Sequence, residues 1–207
     1  MSEPNGAFLK VCLPRAALIA WLDRKPTPAS AWTDWRDLGG ELWEAGANVP
    51  FAAASEATVA RMLSESDMIL AAYGTVRDAL ADLLGTELPP YLKYYRHDAQ
   101  AGAFVAGSAM FAEEMAFWIA FLSLARAAST GPGHEAGGVA VVRDYFSQSE
   151  DVIAALEMRP GSPSEILTGD RRSTAAAEFE SIANEMFEGF EGGPPREVND
   201  LDGLRAA

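Results

Sequence analysis

The segment from Ala103 to Ala128 is the longest nearly unbroken apolar stretch of the chain, and any fold this sequence adopts has to enclose it. Phe104, Val105, Met110, Phe111, Met115, Phe117, Trp118, Ile119, Phe121, Leu122 and Leu124 fall on every side of a helical wheel of about 3.6 residues per turn. A helix that is apolar all round must be buried. Its length would allow a membrane span, but Glu113 and Glu114 sit near its middle, and adjacent carboxylates at bilayer depth cost several kcal/mol. The stretch is therefore predicted to be the core helix of a globular domain. Neighbouring residues lie about 100° apart on a helix, so the two glutamates cannot face one neighbour. One is expected to reach solvent or an arginine, which makes the other a candidate buried carboxylate with a raised pKa.

The remainder of the chain supplies partners for such a helix. At 207 residues, with 49% apolar side chains, it is long and hydrophobic enough for one domain with a substantial core, despite a net charge of -14. Pro14 suits the first turn of a helix running to about Arg24, and Trp32, Trp35 and Leu38 keep helical spacing after Pro28, with Trp43 beyond Gly39-Gly40. Val59, Met62, Leu63, Ile69, Leu70, Tyr73, Val76, Leu80, Leu83 and Leu84 step by threes and fours. Ser55 reads as the N-cap of that element, Gly85 as its stop, and Gly74 as the place where it bends or divides. Ser147 and Glu150 read as a capping box for a helix through Met158. Phe179, Ile182, Ala183, Met186, Phe187 and Phe190 form the apolar stripe of a final acidic helix. Only 6–13 and 139–145 have strand character, and they are expected to pair if both are extended.

The fold expected from these patterns is mainly α: a single-domain helical bundle over residues 1–190 around the central helix 103–128, with one or two short strands. Residues 191–207, opened by Gly192-Gly193-Pro194-Pro195, read as a disordered acidic tail.

Chemistry is sparse. The single Cys12 excludes an internal disulfide and any cysteine-based zinc site, and neither histidine has metal-ligand spacing, so no metal and no cofactor is expected. Gly131 to Gly138 is glycine-rich but lacks the pattern of a phosphate loop. The segment Lys93, Tyr94, Tyr95, Arg96 and His97 concentrates cations, aromatics and a histidine in an otherwise acidic chain. Together with Glu113 or Glu114 it is the candidate small-ligand or anion site, with the tryptophans as its lining.

Charge points elsewhere. Residues 149–207 hold 13 acidic and 5 basic side chains out of 30 and 16 in the whole chain, so the C-terminal quarter is the acidic pole. Such a field repels nucleic acid and anionic membrane and speeds encounters with basic proteins. Glu178, Glu180, Glu185 and Glu188 on the final helix are the candidate partner-binding residues. The N-terminus is polar and lacks a basic leader region, so a cytoplasmic location is the expectation. In general character, though not in sequence, a compact, acidic, cysteine-poor helical protein resembles the immunity proteins that neutralise bacterial toxins. The functional expectation is a non-enzymatic inhibitor of a more basic protein partner, with a ligand-binding protein or enzyme, or a chaperone using the final helix, as alternatives.

Overall fold

The computed structural model describes residues 5–85, 92–130, 136–144, 152–190 and 199–205, with no side chains for 185 and 187–190. It corrects the helical-bundle expectation: the protein is mixed α/β, built on a six-stranded antiparallel sheet in the order β4-β5-β1-β6-β7-β8. The strands are β1 (Asn5–Cys12), β4 (Lys93–Asp98), β5 (Ala103–Phe111), β6 (Gly137–Asp144), β7 (Val152–Met158) and β8 (Glu165–Ile166). A separate two-stranded hairpin pairs β2 (Glu41–Glu44) with β3 (Ala47–Pro50). The helices are α1 (Arg15–Leu22), α2 (Glu56–Ala71), α3 (Val76–Leu83), α4 (Met115–Ala128), α5 (Asp170–Ala177) and α6 (Glu180–Phe190).

The predicted core helix is two elements. Ala103 to Phe111 forms strand β5, held between β4 and β1, and the helix α4 begins only at Met115. A strand covered on both faces shows an unbroken apolar run, which on a wheel looks the same as a helix that is buried all round. Glu113 and Glu114 mark the change of structure, with Glu114 in extended conformation at the N-cap of α4. Both are solvent-exposed, so neither is the candidate buried carboxylate of the helical reading. Gly107 is needed in β5 for a packing reason: a Cβ there would lie 2.5 Å from a ring carbon of Phe8 on β1.

Alternation along the strands sends side chains into two cores. On one face Ala7, Leu9, Val11, Phe104, Ala106, Ala140, Val142, Ala154 and Leu156 meet α4, whose residues from Trp118 to Ala128 are all buried, with α1, α2 and α3 around it. On the other, Phe8, Tyr94, Ala109, Val139, Val141 and Ala155 are covered by Ala175, Phe179, Ala183 and Met186 of the α5–α6 unit. Phe8 and Phe179 stack with ring centroids 5.5 Å apart. The final amphipathic helix is thus docked on the sheet.

Several local expectations stand. Ser55 caps α2 by accepting from the Thr58 N–H at 3.2 Å, Gly74 lies where α2 gives way to α3, and Gly85 takes φ +95°. The strands anticipated at 6–13 and 139–145 are β1 and β6, paired from Asn5↔Asp144 to Cys12↔Gly137. Other expectations are corrected. Residues 28–38 form two short 3-10 turns, and Val152–Met158 is a strand where a helix was read. The capping pair Ser147 and Glu150 lies outside the described residues.

Part of the expected tail is packed. Leu201 and Leu204 are buried in the larger core, Asn199 bridges Tyr95 in parallel, and the Asp200 N–H donates to the Tyr95 carbonyl at 2.8 Å. This segment shields the open edge of β4. Residues 191–198 and 206–207 lie outside the described residues. The buried Arg77 guanidinium ties the segment down, donating to the carbonyls of Leu201 and Leu204 and to Asp23 at 2.7 Å. No helix among the described residues is long and apolar enough to cross a membrane.

Arg77→Ala strands those carbonyls and removes the ion pair. We expect it to destabilise the protein by about 2–3 kcal/mol, less than a fully buried pair because Asp23 is half-exposed. Hydrogen exchange at Leu201 and Leu204 should accelerate beyond that of the sheet; unchanged protection there would mean other contacts hold the segment.

Candidate functional site

Two surfaces are candidates for binding. The first is the β2–β3 hairpin. Trp43 lies on it with 68% of its surface exposed, the most exposed large hydrophobic side chain among the described residues. Its register is Glu41↔Pro50, Leu42↔Val49, Trp43↔Asn48 and Glu44↔Ala47, so Leu42 and Val49 share one face and Glu41, Trp43 and Asn48 the other. Leu42 packs on the larger core. The outward face is therefore an indole flanked by a carboxylate and an amide. The two-residue turn uses positive φ at both positions, +52° at Ala45 and +89° at Gly46, as a hairpin whose twist matches its strands requires.

The hairpin is braced. Glu44 accepts hydrogen bonds from Ser55 Oγ and Thr58 Oγ1, each at 2.5 Å, and from the Ser55 N–H at 3.1 Å. At its base a Cβ on Gly40 would lie 2.6 Å from the Trp118 ring, so backbone and indole are in direct contact. The Ser55 hydroxyl, then Thr58 and the Ser55 amide, hold the Glu44 carboxyl below its usual pKa.

The second surface is where the candidate segment from Lys93 to His97 falls. It forms β4, and the alternation of a strand divides it. Tyr95 points to the larger core, 3% exposed, with its hydroxyl donating to the Leu80 carbonyl at 3.4 Å and its pKa driven up by burial. Lys93 and His97 share that side, His97 lining a hollow with Arg15, Asn199 and Asp200. Tyr94 and Arg96 point the other way, toward α6. Glu113 and Glu114 lie far from His97 and nearer Lys93: His97 pairs with Phe104, and Phe111 is seven residues farther along β5, roughly 23 Å at about 3.3 Å per residue, whereas Lys93 pairs with Ser108.

On the α6 side, Tyr94 and Arg96 meet Lys10, a residue the sequence reading did not single out. Lys10, Tyr94, Arg96, Asp98, Val105, Ser181 and Ile182 surround a cleft of about 340 Å³. Lys10 donates to Glu178 at 2.8 Å, and that hydrogen bond holds the ammonium above the ordinary lysine pKa. Arg96 donates to the Tyr94 hydroxyl at 3.3 Å. Only the strand register reveals Lys10; in sequence it is one polar residue in an apolar run.

Of the candidate partner-binding glutamates, Glu178 is engaged with Lys10, and Glu180 is exposed at the start of α6. The side chains of Glu185 and Glu188 lie outside the described residues. The tryptophans do not line one site. Trp21 is buried and donates to the Leu124 carbonyl, Trp118 donates to Ala112, and Trp32 and Trp35 meet edge-on beneath the Arg126 guanidinium, which sits 5.1 and 4.9 Å from their rings. Among the described residues no group of three or more histidine, cysteine, aspartate or glutamate side chains is placed to hold a metal ion. Comparison of the chain with known protein families, with curated proteins and with solved structures finds no match.

Two outcomes follow for the hairpin. Ala45→Gly relieves a left-handed alanine and should stabilise the protein by about 1 kcal/mol, a rise of roughly 2–4 °C in Tm for a chain of this size. A lower Tm would contradict the turn geometry. Because the folded pKa of Glu44 is depressed, its bracing contribution is present above the ordinary glutamate range and is lost as pH falls through the folded value. Exchange of the hairpin amides should accelerate in that acid window, and Glu44→Gln should remove the pH dependence.

Proposed function

We propose that this is a non-enzymatic protein-binding protein that blocks a more basic protein partner, as an inhibitor or an immunity protein does, and that it engages the partner through the β2–β3 hairpin. The observation that carries the reading is Trp43. A large aromatic exposed to 68% on a braced hairpin has no packing role, whereas tryptophan is among the side chains that most often dominate binding energy at protein interfaces. Bracing matters because an anchor already held in place loses little conformational entropy on binding.

The charge supports the class of partner. A net charge of -14 accelerates encounter with a basic protein and disfavours nucleic acid. Beside Trp43, Glu41 supplies an exposed carboxylate, and Glu180 adds to the general field from α6. The chaperone alternative loses support, since a helix offered to an apolar client needs an open apolar face, while Phe179, Ala183 and Met186 are buried against the sheet. A cytoplasmic location is part of the same reading.

The test is capture from native lysate with the wild-type protein and Trp43→Ala side by side, followed by kinetics on the partner retained. Trp43→Ala should melt like wild type and weaken binding by about 2 kcal/mol or more, chiefly through faster dissociation. Association should slow as salt rises from low to physiological strength. A partner held equally well by Trp43→Ala, or one whose association ignores salt, would sink the reading.

A further inference from the structure

The β2–β3 hairpin turns unpaired backbone groups outward along both of its edges. A two-residue turn with positive φ at Ala45 and Gly46 makes the residues that flank it, Glu44 and Ala47, a pair that exchanges both backbone hydrogen bonds. Pairs alternate from there, so Leu42↔Val49 is bonded in the same way, and the Phe51 N–H donates to the Gly40 carbonyl at 3.0 Å in continuation of the pattern. Glu41 and Trp43 on β2, and Asn48 and Pro50 on β3, therefore point their backbone groups away from the hairpin. Among the described residues none of these groups has a hydrogen-bond partner.

The two edges differ. On β3 the outward series is broken by Pro50, which has no N–H to donate. On β2, Glu41 and Trp43 each present an N–H and a carbonyl, two residues apart, roughly 7 Å at about 3.4 Å per residue. That is the repeat with which an extended chain pairs when it adds a strand to a sheet. Charge selects the occupant. The Glu41 carboxylate is exposed and forms no ion pair among the described residues. Arg36 and Arg172 share the hollow at the base of the hairpin with it, but Arg36 is paired with Glu56 at 2.6 Å, and Arg172 donates to the carbonyls of Leu167 and Asp37. Residues directly opposite on antiparallel strands interact through their side chains, so a lysine or arginine suits the position across from Glu41, and a cation also suits the face of the indole. A second copy is the poorer occupant, since it brings a further charge of -14 to the junction.

We propose that an extended basic segment of the partner protein adds antiparallel to the edge of β2, its backbone paired with Glu41 and Trp43 and its cations facing the Glu41 carboxylate and the indole. The inference rests on the reading of the hairpin as the partner-binding element and specifies how that element engages. Main-chain hydrogen bonds hold the added strand, and Trp43 and Glu41 choose its side chains.

The probe is a short peptide of alternating lysine and valine, titrated into the full chain and followed by amide chemical shifts and hydrogen exchange. At saturation the Glu41 and Trp43 amides should exchange at least tenfold more slowly, while the Asn48 amide on the other edge is unchanged. In an antiparallel pair the lysine amides face β2, so the same peptide N-methylated on its lysines should bind at least tenfold more weakly, and the peptide N-methylated on its valines within a few-fold of the parent. Glu41→Gln keeps the edge N–H and should weaken binding only a few-fold. The proposal is overturned by unchanged exchange of Glu41 and Trp43 at saturation, by a lysine-methylated peptide that binds as well as its parent, or by a free protein that is already a dimer with those amides protected. Exchange in the complex with a captured partner separates this inference from the reading beneath it. A partner lost on Trp43→Ala, whose complex leaves the Glu41 and Trp43 amides unprotected, keeps the hairpin as the binding element and overturns strand addition.

Discussion

β1 is constrained on all four sides, and the fold depends on meeting those constraints together. Its backbone pairs with β5 along one edge and with β6 along the other, while Ala7, Leu9 and Val11 enter one core and Phe8 the other. A strand in that position needs the α4 layer above it, the α5–α6 layer below it, and two partner strands that arrive about half the chain later. Phe8 shows how tight the fit is. Its ring lies over Gly107 of the neighbouring strand and under Phe179 of the covering helices, so one residue sets a glycine requirement in β5 and a stacking partner in the last third of the chain.

Buried arginines supply the tie points where regular structure is absent. Residues 29–38 contain only two 3-10 turns, yet Trp35 is buried and donates its indole N–H to the Ala29 carbonyl at 2.8 Å. Arg126 of α4 holds this region: its guanidinium lies over both Trp32 and Trp35, pairs with Asp34 at 2.7 Å and donates to Ser164 at 3.1 Å. A planar guanidinium suits that place because it stacks on aromatic rings while its edge remains free for hydrogen bonds. Arg77 does the corresponding work at the other side of the domain, where it fastens the segment 199–205 against the edge of β4. Both charges are compensated on site, the condition under which burying a charge is tolerable.

The two candidate surfaces have opposite character for a physical reason. The hairpin stands apart from the six-stranded sheet, so its outward face is set by alternation alone and presents an indole among carboxylate and amide groups, in keeping with the acidic surface of the chain. The cleft at Lys10 and Arg96 is lined by Ser181 and Ile182 of α6, and there the register brings two cations together beside Asp98 and Glu178. On the far edge of the same sheet, Arg159 and Arg171 are absorbed by Glu157 and Glu165, whose pKa values they lower; that cluster is internally neutralised and serves the joint between β7, β8 and α5.

Legible from neighbours a few residues apart were the cap at Ser55, the division near Gly74, the helices α1 and α6, and the burial of most of the stretch 103–128, whereas the helical spacing of Trp32, Trp35 and Leu38 and the helix through Met158 were equally local readings that the structure overturned. The extended character of β1 and β6 was legible as well, because their β-branched and aromatic residues fit a pleated surface. Only the tertiary structure decided that Ala103 to Phe111 is a strand. Its apolar run satisfies a helix wheel and a doubly covered strand equally, and the choice between them is made by pairing with β1 and β4. The same pairing split the segment Lys93 to His97 into two sides, left Glu113 and Glu114 exposed at the far end of β5, and placed Lys10 beside Arg96. A register between strands nearly a hundred residues apart has no local signature, so which side chains from different strands meet could not be read in advance.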